Sequence, residues 1–534
     1  MTLLFAIIFA SGGAILALEL LASRVMTPYF GVSLYIWTGI LSITLVSLAL
    51  GYWAGGRLAA RASGAGASGR LTHLFSLMPA LAAIAIVAAC MVYPFLFAGL
   101  AGFSLSLGAF AACLILLFLP LVVTSAMNPL LVAIALQAAE RQTGDAGAGK
   151  VFFVSTVGSV AGVLVTAFGL IPYLSNFAAM LVIALALALL SLAAAGIALP
   201  RSRRPAVTTT ALAAALGSLL LLWQADAYTG RLGPARYGAS DFQVEASYGS
   251  LFGTVKILKS VPPDAEGRFV RVYFQDGLVQ NTVESSGRSL SFYTHALEAL
   301  AYAYRPQLRS ALVLGLGAGI VPRELAARGA DVDVVEIDPV SPMVARRFFG
   351  FEPARARVHR ADARTFVSRC PREFDVVVVD LFHGDGTPDY LVTREFFADL
   401  RRCLAPEGVA VFNTFADLER PEVYAHLLAT LRSELPHIVL YRPGWRATHI
   451  NSFIVAGKAP LPQPGRVTLN DVPPRLEAAL WGMLARPIPL DRKLLAGGRV
   501  ITDAHNAATH DTAASQIEYR RAVVQAMPPA FLLN

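Results

Sequence analysis

The chain has 534 residues, of which 55% are hydrophobic and only 15% are charged, and its formal net charge is +8. Soluble domains carry about 25% charged residues, so this composition excludes an ordinary soluble protein over the whole length. The excess positive charge lies largely in short loops between apolar segments and not in a basic cluster interleaved with aromatic residues, which argues against nucleic-acid binding.

The first part of the chain is apolar and poor in charge. Seven apolar segments precede residue 225, each close to the roughly 20 residues that cross a bilayer as a helix. They run over residues 3–23, 33–56, 74–99, 104–136, 151–172, 175–199 and 206–223. We therefore predict a multi-span α-helical membrane domain over residues 1–225, in the cell membrane and with the lipid bilayer as a partner. Gly158, Gly162 and Gly169 are expected to let helices approach closely, and a bend is expected near Pro120 and Pro129.

After residue 225 the pattern changes to short strands and turns. Residues 248–258 and 269–274 each read as a strand, which predicts a small β subdomain over residues 226–305. Over residues 306–460 apolar strands alternate with helical segments, which predicts an α/β Rossmann-like domain built on a parallel sheet. Residues 461–534 carry no motif and are predicted to be a C-terminal extension of unknown role.

A glycine-rich turn opens the predicted α/β domain. Gly315, Gly317 and Gly319 follow a short apolar strand and precede a helical segment. Glycines in this position allow a nucleotide to approach the backbone N–H groups closely. Glu336 ends the next strand, about 20 residues further on, where an acidic side chain can accept hydrogen bonds from ribose hydroxyls. The pattern therefore predicts a nucleotide site.

Two more acidic residues follow strands of the same domain. Asp362 comes after a short predicted strand and could meet the adenine amino group, although a solvated turn is also possible. Asp380 ends the apolar strand FDVVVVD and could accept a proton from an amine or hold a cationic tail, although a helix N-cap is the plainer interpretation. Because the carboxyl ends of parallel strands meet at one edge, both are expected near the glycine turn.

Metal and disulfide chemistry are not indicated. The nine histidines show no ligand spacing such as HExxH. The four cysteines include no CxxC pair, so neither a zinc site nor a disulfide framework is expected, and this suits a reducing compartment.

The order of these motifs resembles that of the spermidine synthases, the polyamine aminopropyltransferase family. The run FQDGLVQ at 274–280 is followed by Tyr293-Thr294-His295, the glycine turn, VEID at 335–338, Asp362-Ala363 and Val379-Asp380. The membrane half, which opens with ELLASR at 19–24, resembles the helices fused to spermidine-synthase-like domains in many bacteria.

The resemblance implies a reaction and a set of residues. The enzyme would use decarboxylated S-adenosylmethionine as a substrate, without a prosthetic group: putrescine attacks the carbon beside the sulfonium and methylthioadenosine leaves. By position, the catalytic carboxylate would be Asp380; the nucleotide would be bound by Gln275, Gln280, Gly315, Gly317, Gly319, Glu336, Asp362 and Ala363; and the substrate tail or acceptor would be bound by Tyr293, His295, His383 and Asp385. The resemblance also implies a homo-oligomer.

Two departures from the family pattern keep alternatives open. Ala318 stands where the family's GGGDGG motif has an Asp, and His383 stands where a second Asp helps to hold the diamine. A dication needs carboxylates to offset its desolvation, although Asp385 or Asp389 could compensate. With Ala318 the site could take intact S-adenosylmethionine and act as a lyase that gives methylthioadenosine and homoserine lactone. A methyltransferase is a third alternative.

A transporter or sensor regulated by nucleotide is the non-enzymatic alternative, because Glu19 is an ionisable residue within an apolar segment. The side of the membrane is also open. Basic residues follow the second, fourth and sixth segments, whereas the alternate loops hold only Arg24. The positive-inside rule therefore places the C-terminal domain outside. The cytosolic origin of the nucleotide favours the cytoplasmic side, which is the placement we expect.

Overall fold

The computed structural model of the chain describes residues 1–32, 34–62, 67–138, 144–232, 235–352, 355–382, 386–417, 421–444, 449–490, 492 and 494–534. These residues form two compact units. The first unit is Met1–Tyr237 with Arg521–Asn534, and the second unit is Gly238–Arg520.

The first unit is helical. Its described residues include seven helical stretches that are long and apolar enough to cross a membrane, in agreement with the seven predicted segments. These stretches are Thr2–Phe30, Ile36–Ala62, Gly69–Phe103, Leu105–Gln137, Gly147–Leu170, Asn176–Ala198 and Arg201–Trp223. The individual elements are α1 (Thr2–Phe30), α2 (Leu34–Ala62), α3 (Ala67–Phe103), α4 (Leu105–Cys113), α5 (Leu119–Ser125), α6 (Met127–Ala138), α7 (Gly144–Val165), α8 (Asn176–Ala198), α9 (Arg204–Trp223), α10 (Ala225–Thr229) and the short strand β1 (Arg236–Tyr237).

The fourth apolar stretch is irregular, as its prolines predict. A π-helical turn at Leu114–Phe118 separates α4 from α5, and Pro120 follows at the start of α5. Proline has no N–H to donate and its ring crowds the preceding turn, so the regular hydrogen-bond pattern shifts just before it. Pro129 falls in the first turn of α6, where a missing N–H costs little.

Helices α1 and α7 pack through glycines. A Cβ atom placed on Gly158 would lie 2.0 Å from the carbonyl oxygen of Phe9, and one placed on Gly162 would lie 2.2 Å from that of Gly13. These contacts confirm the packing role predicted for both glycines. Gly169 is different, because the nearest atom to its Cβ position belongs to the preceding turn of its own segment, 3.9 Å away.

The second unit begins with antiparallel strands. They are β2 (Ser240–Ser250), β3 (Gly253–Val261), β4 (Val270–Gln275) and β5 (Leu278–Glu284), paired in chain order. The single strand expected over 248–258 is wrong, because the chain turns between β2 and β3. Gly253 has a φ of +146°, a value that side chains other than glycine rarely allow. Apolar residues within the turn hid it from the sequence pattern.

The second unit continues as an α/β fold. Its elements are α11 (Phe292–Tyr304), β6 (Ser310–Leu314), α12 (Ile320–Ala327), β7 (Asp331–Glu336), α13 (Val340–Phe349), β8 (Ala356–Arg360), α14 (Ala363–Ser368), β9 (Phe374–Val379), α15 (Arg394–Cys403), β10 (Leu404–Asp417), α16 (Pro421–Glu434), β11 (His437–Tyr441), β12 (His449–Gly457), α17 (Pro474–Leu484), β13 (Ile488–Pro489), α18 (Ala508–Ala526) and α19 (Pro529–Leu532), the last of which lies with the first unit.

The strand order of the large sheet is β13-β11-β12-β10-β9-β6-β7-β8. Strands β8, β7, β6, β9 and β10 are parallel, and β12 is antiparallel to β10. The chain moves outward from β6 to β7 and β8, then returns to place β9 on the other side of β6. Ligands of such sheets bind at this switch point, outside the carboxyl ends of the strands. The parallel sheet expected from the sequence is therefore present.

Cys370 and Cys403 form a disulfide with a Cα–Cα distance of 5.6 Å. The expectation that no disulfide is present is therefore wrong. The two residues are 33 positions apart and show no spacing motif. They meet because α14 and α15 pack against each other, with Cys370 just beyond the end of α14 and Cys403 at the end of α15. Cys90 and Cys113 in the helical unit are buried and free.

Candidate active site

The glycine-rich turn connects β6 to α12. A Cβ atom on Gly315 would lie 2.2 Å from the carbonyl oxygen of Asp380, so glycine is needed for the ends of β6 and β9 to come together. The N–H of Asp380 donates to the carbonyl of Leu314 at 3.0 Å. Gly319 has a φ of +77°, and a Cβ there would collide with the ring of Phe351. Two of the three predicted glycines are therefore required by packing of the protein itself.

The middle of the turn lies against β5. Asn281 is only 2% exposed, and its Oδ1 accepts a hydrogen bond from the N–H of Ala318 at 3.2 Å. A backbone N–H can only donate, so this contact fixes the orientation of the amide. The Nδ2 donor of Asn281 forms no hydrogen bond of ordinary length among the described residues, and the hydroxyl of Tyr293 is close enough to interact with the amide.

Sequence reasoning selected Gln275 and Gln280 for the nucleotide and missed Asn281. Gln275 and Gln280 are partly buried on β4 and β5, and their assignment stays a prediction. Neighbouring residues of a strand point to opposite faces. Gln280 and Asn281 are adjacent on β5, so only one of them can face the glycine turn. The sequence shows both polar residues but not which one faces the site, because that depends on the register of the strand.

Glu336 stands at the carboxyl end of β7, beside the glycine turn, as predicted. Its Oε2 accepts from the N–H of Leu316 at 3.0 Å, and its Oε1 accepts from the N–H of Asp338 at 2.8 Å. Burial raises the pKa of Glu336, and these backbone donors oppose the rise. The carboxylate is thus fixed in orientation at the place where a ribose would lie. Ribose binding itself stays a prediction.

Asp362 is the N-cap of α14. Its Oδ1 accepts from the N–H of Thr365 at 2.8 Å, and its Oδ2 accepts from the hydroxyl of Tyr390 at 3.1 Å. Burial, followed by the charge of Asp362, raises the pKa of Tyr390 to about 12. Ala363 is buried in the first turn of the helix. Both oxygens of Asp362 already have protein donors, so a contact with adenine would use their remaining lone pairs.

Asp380 follows β9 directly. Its Oδ1 accepts from Nδ2 of Asn413 at 2.9 Å, and Oδ1 of Asn413 accepts from Nδ2 of Asn451 at 3.0 Å. Burial raises the pKa of Asp380 to about 6, against the opposing effect of Asn413. The next two residues are not helical, so the N-cap interpretation is wrong. A carboxylate with this pKa is suited to accept a proton near neutral pH.

Asn413 and Asn451 were missed by sequence reasoning. Asn413 interrupts the apolar strand VAVFNTF one residue beyond the partner of Val379 in β9. A polar residue within an apolar strand was the available signal. Asn451 lies on β12, which is antiparallel to β10, so only the pairing of these strands brings it to the site.

The side chains of Tyr293 and His295 have different surroundings, although the two residues are only two positions apart on α11. Burial and then the charge of Asp380 raise the pKa of Tyr293 well above its usual value, and Asn281 lies close to its hydroxyl. His295 is buried with Nε2 at 3.0 Å from the carbonyl of Ser289, and burial lowers its pKa. Residues two apart on a helix face different directions. Tyr293 therefore joins the site and His295 does not, since His295 lines a separate polar cavity.

His383 and Asp385 lie outside the described residues, and their assignment stays a prediction. The described residues contain no group of three or more His, Cys, Asp or Glu side chains placed to hold a metal ion. The described part of the site contains the Asp380 carboxylate, whose pKa is about 6, the phenol of Tyr293 and the side-chain amides of three asparagines. This set is suited to position an amine and to remove its proton.

Residues 290–442 match the family model of the spermine/spermidine synthase domain. The polyamine aminopropyltransferase of Vibrio vulnificus is 38% identical over 136 residues, which are 24% of this chain and 44% of that protein. Part of the second unit is therefore similar to the spermine/spermidine synthase domain. The matched residues include the glycine turn, Glu336, Asp362, Asp380 and Asn413, whereas β4, β5 and Asn451 lie outside them.

Two further curated proteins are similar to parts of this chain. Spermidine synthase 1 of Hyoscyamus niger is 28% identical over 198 residues, 35% of this chain and 56% of that protein. The N-terminal histidine N-methyltransferase of Emericella nidulans is 35% identical over 140 residues, 25% of this chain and 24% of that protein. The chain thus spans between about a quarter and just over half of the length of these curated relatives.

Among solved structures, the probable spermidine synthase from Corynebacterium glutamicum is similar to this chain with a TM-score of 0.40 and 19% sequence identity, over 49% of this chain and 97% of that one. Human methyltransferase-like protein 13 in complex with SAH is similar with a TM-score of 0.28 and 22% identity, over 37% of this chain and 92% of that one.

Proposed function

We propose that this protein is a membrane-bound aminopropyltransferase of the spermidine synthase type, which uses decarboxylated S-adenosylmethionine and releases methylthioadenosine. The observation that carries the proposal is the partly buried carboxylate of Asp380, whose pKa is raised by desolvation to about 6. It lies at the switch point of the sheet, beside the glycine turn and within a matched spermine/spermidine synthase domain.

Each step of the proposed reaction has a residue to serve it. The glycine turn and Glu336 hold the nucleoside, so the methylene carbon beside the sulfonium faces Asp380. The acceptor nitrogen, nominally that of putrescine, bonds to this carbon while the carbon–sulfur bond breaks and its electron pair goes to sulfur. Asp380 takes the proton from the new ammonium. Because the sulfonium is already a good leaving group, the enzyme contributes mainly position and a base.

A lyase that acts on intact S-adenosylmethionine is the second candidate. Ala318 places no charge at its position, and Nδ2 of the neighbouring Asn281 is a buried donor without a hydrogen bond of ordinary length among the described residues, although the Tyr293 hydroxyl interacts with this amide. Such a donor could meet the carboxylate of the intact substrate. That carboxylate would then attack the side-chain carbon and release methylthioadenosine with homoserine lactone. The names of the relatives give this candidate no support.

Product analysis by mass spectrometry separates these functions. The detergent-purified full chain is offered S-adenosylmethionine or its decarboxylated form, each with and without an amine. Methylthioadenosine that forms only from the decarboxylated form, and only with an amine, is the expected result. Methylthioadenosine from the intact form without an amine would establish the lyase instead. S-Adenosylhomocysteine would indicate a methyltransferase, the activity named for the Emericella nidulans relative.

We also propose that the helical unit spans a membrane seven times and that the α/β unit faces the side opposite to the cytoplasm. Basic residues gather where the second span meets the third, the fourth meets the fifth and the sixth meets the seventh, and they support this orientation. The Cys370–Cys403 disulfide supports it independently, since disulfides persist mainly in oxidising compartments. Substrate supply favoured the cytoplasmic side, but these two observations favour the outer side.

A further inference from the structure

Three aromatic side chains lie near Asp380 and its hydrogen-bond donor Asn413. Phe382 is two residues beyond Asp380, and Phe415 is two residues beyond Asn413. The rings of Phe382 and Phe415 lie 5.1 Å apart between centroids, inclined by 62°. The ring of Tyr519, on α18, lies 5.7 Å from that of Phe415. We call Phe382, Phe415 and Tyr519 the aromatic wall.

The strand order places the aromatic wall away from the nucleotide. Strand β9, which ends at Asp380, has β6 on one side and β10 on the other. The glycine turn and Glu336 follow β6 and β7, whereas Phe415 belongs to β10. In a displacement at carbon, the attacking nitrogen comes from the side opposite to the leaving sulfur. The acceptor therefore approaches from the β10 side of Asp380, where the aromatic wall stands.

The aromatic wall remains open to solvent. Phe415 is 36% exposed, and the side chains of Phe382 and Tyr519 are partly buried. Rings that only filled the core would be closed over, because aromatic side chains gain most when they are fully buried. Three contacting rings left partly open beside the partly buried carboxylate of Asp380 form a surface on which an apolar ligand can lie.

The C-terminal helix α18 is fixed where it supplies Tyr519. The neighbouring Arg520 is fully buried, and its Nη1 donates to the carbonyl of Asp276 at 2.8 Å. Gln516, one turn earlier, has its Nε2 within 2.9 Å of the Cβ position of Gly386. These contacts join α18 to the β4–β5 turn and to the loop that follows Asp380. Residues of the predicted extension therefore help to build the acceptor side of the site.

We propose that the acceptor is a primary amine with an apolar, preferably aromatic, body. This inference rests on the proposed aminopropyl transfer. The amine nitrogen bonds to the methylene carbon, the carbon–sulfur electron pair goes to sulfur, and Asp380 accepts the proton. The body of the acceptor lies on the aromatic wall in offset or edge contacts. A diamine would instead bring its second ammonium group to these rings. Aromatic rings stabilise a desolvated ammonium less well than a carboxylate does.

The test compares two acceptors with decarboxylated S-adenosylmethionine and the full chain. We expect kcat/KM for 2-phenylethylamine to exceed that for putrescine about tenfold or more, as good ring contacts allow. A higher kcat/KM for putrescine would overturn the inference and leave the aminopropyl transfer standing. If neither these amines nor a panel of alkyl monoamines yields methylthioadenosine, the proposed function fails and the inference fails with it.

Substitutions in the aromatic wall test whether these three rings cause the preference for 2-phenylethylamine over putrescine. Phe415→Ala and Tyr519→Ala are each expected to lower kcat/KM for 2-phenylethylamine about tenfold and to change that for putrescine less than about threefold. Trp481→Ala is the matched control, since Trp481 on α17 is also 36% exposed and should leave both values unchanged. Equal losses for both amines would overturn the inference. Phe415→Leu, which keeps apolar volume without a ring, serves if the alanine variant does not fold.

Discussion

Two opposing effects act on the carboxyl group of Asp380. Burial favours its neutral form, and the hydrogen bond from Asn413 favours its charged form. The balance leaves the pKa at about 6, so the group is mostly ionised at neutral pH but still accepts a proton readily. Perturbed groups of this kind concentrate at functional sites, which is why Asp380 carries the proposed mechanism.

A catalytic base with this pKa predicts how kcat/KM depends on pH. Because Asp380 acts in its ionised form, we expect kcat/KM to fall as the pH drops through about 6. Asp380→Asn should lower turnover by roughly 100-fold or more while nucleotide binding, measured by calorimetry, is retained. An Asp380→Asn enzyme with unchanged turnover would remove this residue from the catalytic role.

Asn413 should determine the pH at which kcat/KM falls on the acidic side of the profile. Its Nδ2 stabilises the charged form of Asp380, so Asn413→Ala is expected to raise the pKa of Asp380 and to move the acidic limb toward higher pH. Activity should therefore fall more at pH 6 than at pH 8. Asn451→Ala is the graded control, because the described hydrogen bonds join Asn451 to Asp380 through Asn413, so a smaller shift is expected. A uniform loss at all pH values would indicate a structural role instead.

Among the elements, α1 and α7 show how glycines decide packing between helices. Their apolar periodicity predicts helices but not which faces meet. The backbones approach so closely at Gly158 and Gly162 that a Cβ atom would lie within about 2 Å of the partner helix. In the proposed membrane-spanning arrangement, lipid leaves no hydrophobic force between helices, so this close fit would be the main source of association.

Gly162→Val should therefore disrupt the helical unit. The added side chain would meet the backbone of Gly13, so we expect the unfolding temperature in detergent to drop by roughly 5 °C or more. Gly196→Val is the control, since nothing lies within 4 Å of its Cβ position on α8. Equal unfolding temperatures for the two variants would contradict the packing role of Gly162.

For the whole molecule, the proposed orientation in the membrane predicts which engineered cysteines a reagent can reach. Glu352→Cys places a thiol at an exposed position of the α/β unit, and Arg61→Cys places one at an exposed position in the last turn of α2. With a thiol reagent that does not cross membranes, the cysteine at 352 should react in intact cells and the cysteine at 61 only after permeabilisation. The reverse pattern would place the α/β unit in the cytoplasm.

Features that depend on neighbouring residues could be predicted from the sequence. Seven helices followed from the lengths of apolar runs, because about 20 apolar residues suffice to cross a bilayer. The glycine turn, Glu336 and Asp380 were found because strand, turn and acidic residue follow one another along the chain. Their convergence also followed, since the carboxyl ends of parallel strands share one edge.

Features that depend on distant residues were decided by the tertiary structure. Asn281, Asn413 and Asn451 reach the site through strand register, the Cys370–Cys403 disulfide forms through helix packing, and Tyr519 arrives from the far end of the chain. A side chain's direction on a strand reverses with a shift of one residue, and a one-dimensional pattern does not record which elements touch. The sequence by itself determined the motifs that indicate a nucleotide site with a carboxylate base, because these motifs are local, and the fold decided which distant side chains surround them.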